Sequence, residues 1–135
     1  MATSAESTTR NDELPLVAII DDDASVRKST LRLIRSFGYG AEAFSSGEEF
    51  LRSPLCERTA CLVLDVRMPD MDGLEVQRRV LERELHIPVI FISGRASDEE
   101  ERQARSAGAV DFLRKPIAAP TLLKLLQKIL QKGDA

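Results

Sequence analysis

Two short apolar runs in this sequence are followed by carboxylates. Three aspartates, beginning with Asp21 and Asp22, follow the run at residues 17–20, and Asp65 follows the run at residues 62–64. Clustered carboxylates raise one another's pKa values unless a cation relieves the repulsion. Mg²⁺ takes hard oxygen ligands of this kind, and proteins usually bind it through one or two carboxylates together with phosphate oxygens. One carboxylate of such a set can also act as a nucleophile. Asp65 is the best candidate, because it ends a central run and precedes a loop.

Two further apolar runs lead to a hydroxyl and to an ammonium group. Ser93 follows the run at residues 89–92, and Lys115, itself followed by Pro116, comes after the run at residues 110–113. An ammonium group is a compact charge that suits a phosphate oxygen, and a hydroxyl can donate a hydrogen bond to one. Together with the carboxylates, these residue types indicate a site for a divalent cation and a phosphoryl group.

Each of these residues also has an ordinary structural explanation. Aspartates after a strand often cap the next helix, and we expect Asp23 to do so. Ser93 could open a turn together with Gly94, and Lys115 could be a solvated surface lysine. The shared position after apolar runs favours the chemical interpretation for Asp21, Asp22 and Lys115. For Ser93 the two interpretations remain equally supported by the sequence.

The elements that would position these residues follow from the hydrophobic pattern. We predict strands at residues 16–20, 41–44, 61–65, 88–92 and 110–113. Helices are predicted at residues 24–37, 74–84 and 119–131, with shorter ones capped by Ser46 and Ser97. Strands that alternate with helices indicate a doubly wound α/β fold. We therefore expect a five-stranded parallel sheet of order 2-1-3-4-5 with five helices, a flavodoxin-like fold. Ligands then bind at the carboxyl ends of the strands, at the switch point between strands 1 and 3.

The whole chain is compatible with one globular domain. It has 135 residues, 43% of them hydrophobic and 30% charged, and its net charge of −3 gives no reason to expect direct nucleic-acid binding. No apolar run approaches the roughly 20 residues of a membrane span, so no membrane contact is expected. The two cysteines lack the spacing of a disulfide framework or a zinc site, which favours a cytoplasmic location. The polar residues 1–14 are expected to form a flexible tail, residues 15–131 the domain, and residues 132–135 a short C-terminal tail.

Four segments, in this order, resemble the response-regulator receiver domain of two-component signalling. They are IIDDD at residues 19–23, LDVRMPDMDG at 64–73, ISG at 92–94 and KP at 115–116. The similarity covers residues 14–130, and the segment at 64–73 looks most like the FixJ-type branch of the family.

The resemblance implies a role for each matching residue. Asp65 would be the phosphorylated aspartate. Asp21, Asp22 and Asp65, together with the backbone carbonyl of Arg67, would bind Mg²⁺ or, alternatively, Mn²⁺. Lys115 would pair with a phosphoryl oxygen.

The resemblance also implies a conformational switch. Ser93 would be the hydroxyl that moves onto the phosphoryl group, in place of the commoner threonine. Phe112 would be the aromatic residue that turns inward on activation, in place of the commoner tyrosine. The peptide bond before Pro116 is often cis in this family.

By this resemblance, a histidine kinase or phosphotransferase would phosphorylate the chain. The chain would then signal to a protein target or a second copy through a surface made of the fourth helix (capped by Ser97), the fifth strand (residues 110–113) and the fifth helix (residues 119–131). It would be a signalling phosphoacceptor rather than an enzyme, catalysing its own phosphorylation and a slow autodephosphorylation. The alternatives are an aspartate-nucleophile phosphatase, disfavoured because Arg67 stands where such enzymes often have a second acid, and a purely structural receiver. No output domain is recognisable after Leu130, which leaves open a single-domain regulator or one piece of a longer protein.

Overall fold

A computed structural model describes residues 14–130 of the chain, and the expected tails therefore lie almost entirely outside the described residues. The strands are β1 (Leu16–Ile20), β2 (Gly40–Phe44), β3 (Thr59–Asp65), β4 (Val89–Ser93) and β5 (Asp111–Arg114). The helices are α1 (Ala24–Ser36), α2 (Gly47–Arg52), α3 (Gly73–Glu82), α4 (Asp98–Ser106) and α5 (Ala119–Leu130), with a short 3₁₀ helix at Pro54–Arg58. None of the helices in this part of the chain is long and apolar enough to span a membrane.

The five strands form one parallel sheet in the order β2-β1-β3-β4-β5, which confirms the predicted topology. All residues of β1 and β4 are buried, whereas the outer strands β2 and β5 are only partly buried. This burial is the pattern expected when helices cover both faces of a parallel sheet. One hydrophobic cluster packs around Phe50 and Phe91, and the other packs around Ile34 and Leu122. The central strands are therefore held by packing on both faces, which fixes the position of the residues that follow them.

Side-chain caps begin the helices largely where the sequence indicates. Asp23 accepts hydrogen bonds from the backbone N–H groups of the first turn of α1, as predicted. Ser97 and Glu100 form the predicted capping box at the start of α4. Ser46 caps α2, but the carboxylate of Glu49 accepts from Ser45 rather than completing a second box. These caps fix the points at which the chain leaves the sheet edge.

The observed elements differ from the predicted ones mainly at their ends. β3 begins two residues earlier than predicted, at Thr59, which pairs with Leu16 of β1. The 3₁₀ helix that directly precedes Thr59 was not predicted. β5 is displaced by one residue and includes Arg114, because Asp111 rather than Val110 pairs with β4. α3 ends at Glu82, two residues early, and Glu84 just beyond it adopts a positive φ of 61°. These shifts leave the strand order and the positions of the polar residues unchanged.

Gly73 lets the loop after β3 fold back against the strand. Its N–H donates to the carbonyl of Val66 at 2.9 Å. A Cβ atom at this position would lie 2.3 Å from the backbone oxygen of Asp65 and 2.9 Å from the ring of Phe91. Neither neighbour can yield easily, because one is backbone and the other is a fully buried ring. The close approach of α3 to the end of β3 therefore requires glycine.

Candidate functional site

The carboxylates lie together at the carboxyl ends of two adjacent strands. Asp21 directly follows β1, and Asp65 is the last residue of β3. One oxygen each of Asp21, Asp22 and Asp65 can be chosen so that all three lie within 4.8 Å of one another. Asp21 and Asp65 are buried, whereas Asp22 is exposed. The site is therefore a partly covered acidic pocket at the switch point of the sheet, where an open α/β fold binds ligands.

The turn that carries Asp21 and Asp22 is fixed by its neighbours. Asp21 Oδ1 accepts from the backbone N–H of Asp23 at 2.9 Å. The backbone carbonyl of Asp21 accepts from Arg27 Nη1 at 2.7 Å, and its N–H donates to the carbonyl of Phe44 at 3.3 Å. Sequence reasoning missed Arg27, which no motif or spacing distinguishes from an ordinary helix arginine. These bonds hold the backbone on both sides of Asp22.

Lys115 bridges the two buried carboxylates. Its Nζ lies 3.0 Å from Asp21 Oδ2 and donates a hydrogen bond to Asp65 Oδ2 at 3.1 Å. The backbone N–H of Lys115 donates to the carbonyl of Ser93 at 3.0 Å, which ties the end of β5 to the end of β4. The peptide bond between Lys115 and Pro116 is cis. The ammonium group is therefore inside the acidic pocket rather than at the solvated surface.

The environment shifts the pKa values of this pair. Burial, aided by the nearby charge of Asp21, raises the pKa of Asp65 from its ordinary value of 3.8 to about 6, although Lys115 opposes the shift. Burial alone would lower the pKa of Lys115, but contacts with Asp21 and Asp65 outweigh it and the net shift is upward. The lysine is therefore charged at neutral pH, whereas ionisation of the aspartate costs more free energy than it would in water.

The donor set fits a hard divalent cation. Asp21 Oδ2 is buried and accepts no aligned hydrogen bond, so its contact with the ammonium group is an ion pair only. Asp22 extends an exposed carboxylate towards the same point. Three carboxylates with a single ammonium group leave an excess of negative charge, which a cation bound by oxygen ligands would neutralise.

Arg67 lies on the loop that follows Asp65. Its backbone N–H donates to Asp65 Oδ1 at 3.2 Å. Its guanidinium group donates two hydrogen bonds to Glu100 Oε1, at 3.2 and 2.9 Å. Glu100 is also the carboxylate of the capping box of α4. The side chain of Arg67 thus connects the loop after β3 to α4.

Ser93 lines the same pocket as Asp65 and Lys115, a cavity of about 350 Å³. Its hydroxyl oxygen is buried and accepts from the backbone N–H groups of Arg95 at 3.2 Å and of Ala96 at 2.9 Å. The residue therefore also shapes the turn that the sequence offered as its alternative role. The hydroxyl hydrogen remains available to a further acceptor, because both of these bonds use the oxygen.

Phe112 lies on β5 behind this turn. Its ring is 5% exposed and stacks on Phe91, with the ring centroids 6.1 Å apart. The ring is thus already turned inward in this structure. The structure brings the acidic residues, Lys115 and Ser93 together. Phe112 lies outside this pocket and packs against Phe91.

Comparison with known proteins assigns the chain to a family. Residues 17–127 match the family described as the response regulator receiver domain. The five-stranded parallel sheet and the acidic pocket at the carboxyl ends of its strands agree with this family. The chain belongs to the response-regulator receiver family and is a receiver domain of the two-component type.

Individual relatives agree with this assignment. Nodulation protein W of Bradyrhizobium diazoefficiens is 43% identical over 108 residues, which cover 80% of this chain and 48% of that protein. Response regulator protein TodT of Pseudomonas putida is 41% identical over 121 residues, covering 90% and 53%. The crystal structure of FixJ-N superposes with a TM-score of 0.79 at 33% identity, covering 87% of this chain and 94% of that one. The chain spans about half the length of the curated relatives that it matches.

Proposed function

We propose that Asp65 is the phosphoryl acceptor of this receiver domain. A carboxylate oxygen of Asp65 attacks the phosphorus of a phosphohistidine, an O–P bond forms, and the N–P bond breaks with its electron pair returning to the imidazole nitrogen. The observation that carries this assignment is the contact between Lys115 and Asp65 inside the acidic pocket. An ammonium group already beside the attacking carboxylate can pair with a phosphoryl oxygen as it arrives.

The other pocket residues have distinct parts in this proposal. Asp21, Asp22 and Asp65, with the backbone carbonyl of Arg67, would bind Mg²⁺, and Mn²⁺ would be an alternative. Such a cation neutralises the charge that builds up on the transferring phosphoryl group. The Ser93 hydroxyl donates its free hydrogen to a phosphoryl oxygen. The resulting displacement of Ser93 changes the packing of Phe112 and of the surface around β5.

Membership in the receiver family supports the following proposal for the partners. The phosphodonor is a histidine kinase or a phosphotransferase, and small phosphodonors can substitute for it. The surface formed by α4, β5 and α5 contacts a downstream protein target or a second copy of the chain. We propose residues 15–131 as the receiver unit, acting in the cytoplasm without direct contact with nucleic acid or membrane.

The same proposal treats the chain as a signalling phosphoacceptor rather than an enzyme that acts on other substrates. It promotes its own phosphorylation and a slow autodephosphorylation. A phosphatase with an aspartate nucleophile often has an acid two residues further on to protonate the leaving group. That position is Arg67, whose guanidinium group is engaged by Glu100.

Replacing the nucleophile tests the assignment directly. Asp65→Asn keeps the shape of the side chain but removes the attacking oxygen anion, so we expect no phosphorylation by acetyl phosphate in the presence of Mg²⁺. The measurement is the mass of the intact protein, together with release of the phosphate by hydroxylamine. Asp70→Asn is the matched control, because Asp70 is an exposed aspartate of the following loop with a positive φ that asparagine tolerates. Undiminished hydroxylamine-labile phosphate on Asp65→Asn would refute the assignment.

A further inference from the structure

The peptide groups of Ala96 are held from two sides. The N–H of Ala96 donates to the hydroxyl oxygen of Ser93 at 2.9 Å. The carbonyl of Ala96 accepts from Arg114 Nη1 at 2.7 Å. Ala96 is itself buried, with an exposed fraction of 8%. The loop after β4 is therefore hydrogen-bonded to the Ser93 hydroxyl on one side and to Arg114 of β5 on the other.

The same guanidinium group contacts two further parts of the molecule. Arg114 Nη2 donates to Glu101 Oε1 of α4 at 2.8 Å and lies 3.8 Å from Asp98. The guanidinium carbon lies 5.2 Å from the ring centroid of Phe112, over the face of the ring. A planar guanidinium group can make these contacts together because its donors diverge in one plane and its face packs on aromatic rings.

We propose that Arg114 is a positioning residue that transmits a displacement of the Ser93–Ala96 loop to Phe112 and α4. When the Ser93 hydroxyl moves towards a phosphoryl group on Asp65, the N–H of Ala96 follows its acceptor. The carbonyl of Ala96 then carries the guanidinium group with it. This inference rests on the proposed function, because it requires a phosphoryl group at Asp65.

Arg105 supplies a matched control. It belongs to α4, and its side chain pairs with the same Glu101 at 3.1 Å and with Asp111 of β5 at 3.2 Å. Both arginines have similarly exposed side chains, 47% for Arg105 and 46% for Arg114. The contacts of Arg105 in the described chain do not include Ala96 or the ring of Phe112. Removing Arg105 therefore weakens the same helix–strand pair without cutting the connection to the loop.

The experiment compares amide chemical shifts of the full chain with and without beryllofluoride and Mg²⁺. In the wild type and in Arg105→Ala, we expect beryllofluoride to shift the amides of Ser93, Phe112 and Glu101. In Arg114→Ala, the shifts at Phe112 and Glu101 should shrink by about half or more, since a residue on a coupling route changes the coupling severalfold. The shift at Ser93 should persist in this variant, as should phosphorylation by acetyl phosphate.

A second variant guards against a folding defect in the first. Arg114→Lys keeps the charge, but its three N–H donors are on a single nitrogen and it lacks the planar fork of a guanidinium group. We therefore expect shifts at Phe112 and Glu101 between those of the wild type and of Arg114→Ala. Wild-type shifts in both Arg114 variants would overturn the inference, as would an equal loss in Arg105→Ala. A wild-type chain that responds at Ser93 but not at Glu101 would overturn it too, while leaving Asp65 as the acceptor. No response at Ser93 in the wild type would instead count against the proposed function.

Discussion

At the scale of single residues, the pocket places a carboxylate where its charge is costly. Asp65 is buried beside Asp21, and its pKa is raised to about 6 even though Lys115 stabilises the ionised form. An acid with a raised pKa in the folded state binds its proton more tightly there than in the unfolded chain. Below about pH 3 both states are protonated, and the stabilising difference is fully present. The difference is lost as the pH rises through about 6.

We therefore expect Asp65→Asn to be more stable than the wild type at pH 7.5 without divalent metal. The gain should be on the order of 1 kcal/mol, or roughly 4 °C in Tm for a domain of this size. It should fall steeply towards pH 4, where Asp65 is neutral in the folded chain and roughly half protonated in the unfolded chain. Thermal unfolding in EDTA across this pH range measures it, with Asp70→Asn as the control. A gain that is the same at pH 4 and pH 7.5 would show that ionisation of Asp65 is not its cause.

At the scale of elements, α4 is attached differently from the other long helices. Ala104 is its only buried residue, and its first turn contains four acidic residues. Ion pairs join it to its surroundings, among them Arg67–Glu100 to the loop after β3 and Arg114–Glu101 to β5. By contrast, α5 buries Leu122 and Leu126 against the sheet. Exposed ion pairs contribute about 0–1 kcal/mol each and are screened by salt, whereas apolar burial is not.

Salt should therefore loosen α4 selectively. Raising NaCl from roughly 0.02 to 0.5 M shortens the Debye length from about 20 Å to about 4 Å, and we expect amide hydrogen exchange in α4 to accelerate about threefold or more. Exchange in α5 of the same sample serves as the internal control, because it reports any global change in stability. Equal acceleration in both helices, or none in α4, would contradict an electrostatic attachment.

At the scale of the whole molecule, a cation bound in the pocket would couple its binding to folding. The carboxylates of Asp21, Asp22 and Asp65 converge only when β1 and β3 are paired, so a cation bound by all three stabilises the folded chain. We expect Mg²⁺ at about 100 times its Kd to add roughly 2.7 kcal/mol to the free energy of unfolding. Melting curves in EDTA, in Mg²⁺ and in NaCl of equal ionic strength measure this increase.

The variant Asp22→Ala gives this prediction its specificity. Asp22 is exposed, so its removal should change the metal-free melting temperature little while abolishing most of the Mg²⁺ effect. If Mg²⁺ stabilised Asp22→Ala and the wild type equally, the cation would be acting elsewhere on the chain.

The sheet and the pocket were predictable from the sequence because both depend on short, repeated patterns. Apolar runs of three or four residues indicate buried parallel strands, and the residue after each run must lie at the same edge. This pattern places Asp21, Asp65 and Ser93 correctly relative to the strands. The contacts of Arg27 and Arg114 could not be predicted, because each joins a long side chain to a backbone carbonyl on another element, and no period or motif encodes such a pair.

Gly73 has a consequence for how mutational tolerance is interpreted. It carries no reactive group, yet any side chain there would collide with the backbone oxygen of Asp65. A position that bears no reactive group is thus constrained by the backbone of Asp65, the proposed acceptor eight residues earlier in the chain. A substitution in this loop can therefore be harmful because the backbone has no space for a side chain, or because it impairs the reaction. Biochemical assays of individual variants distinguish these two causes.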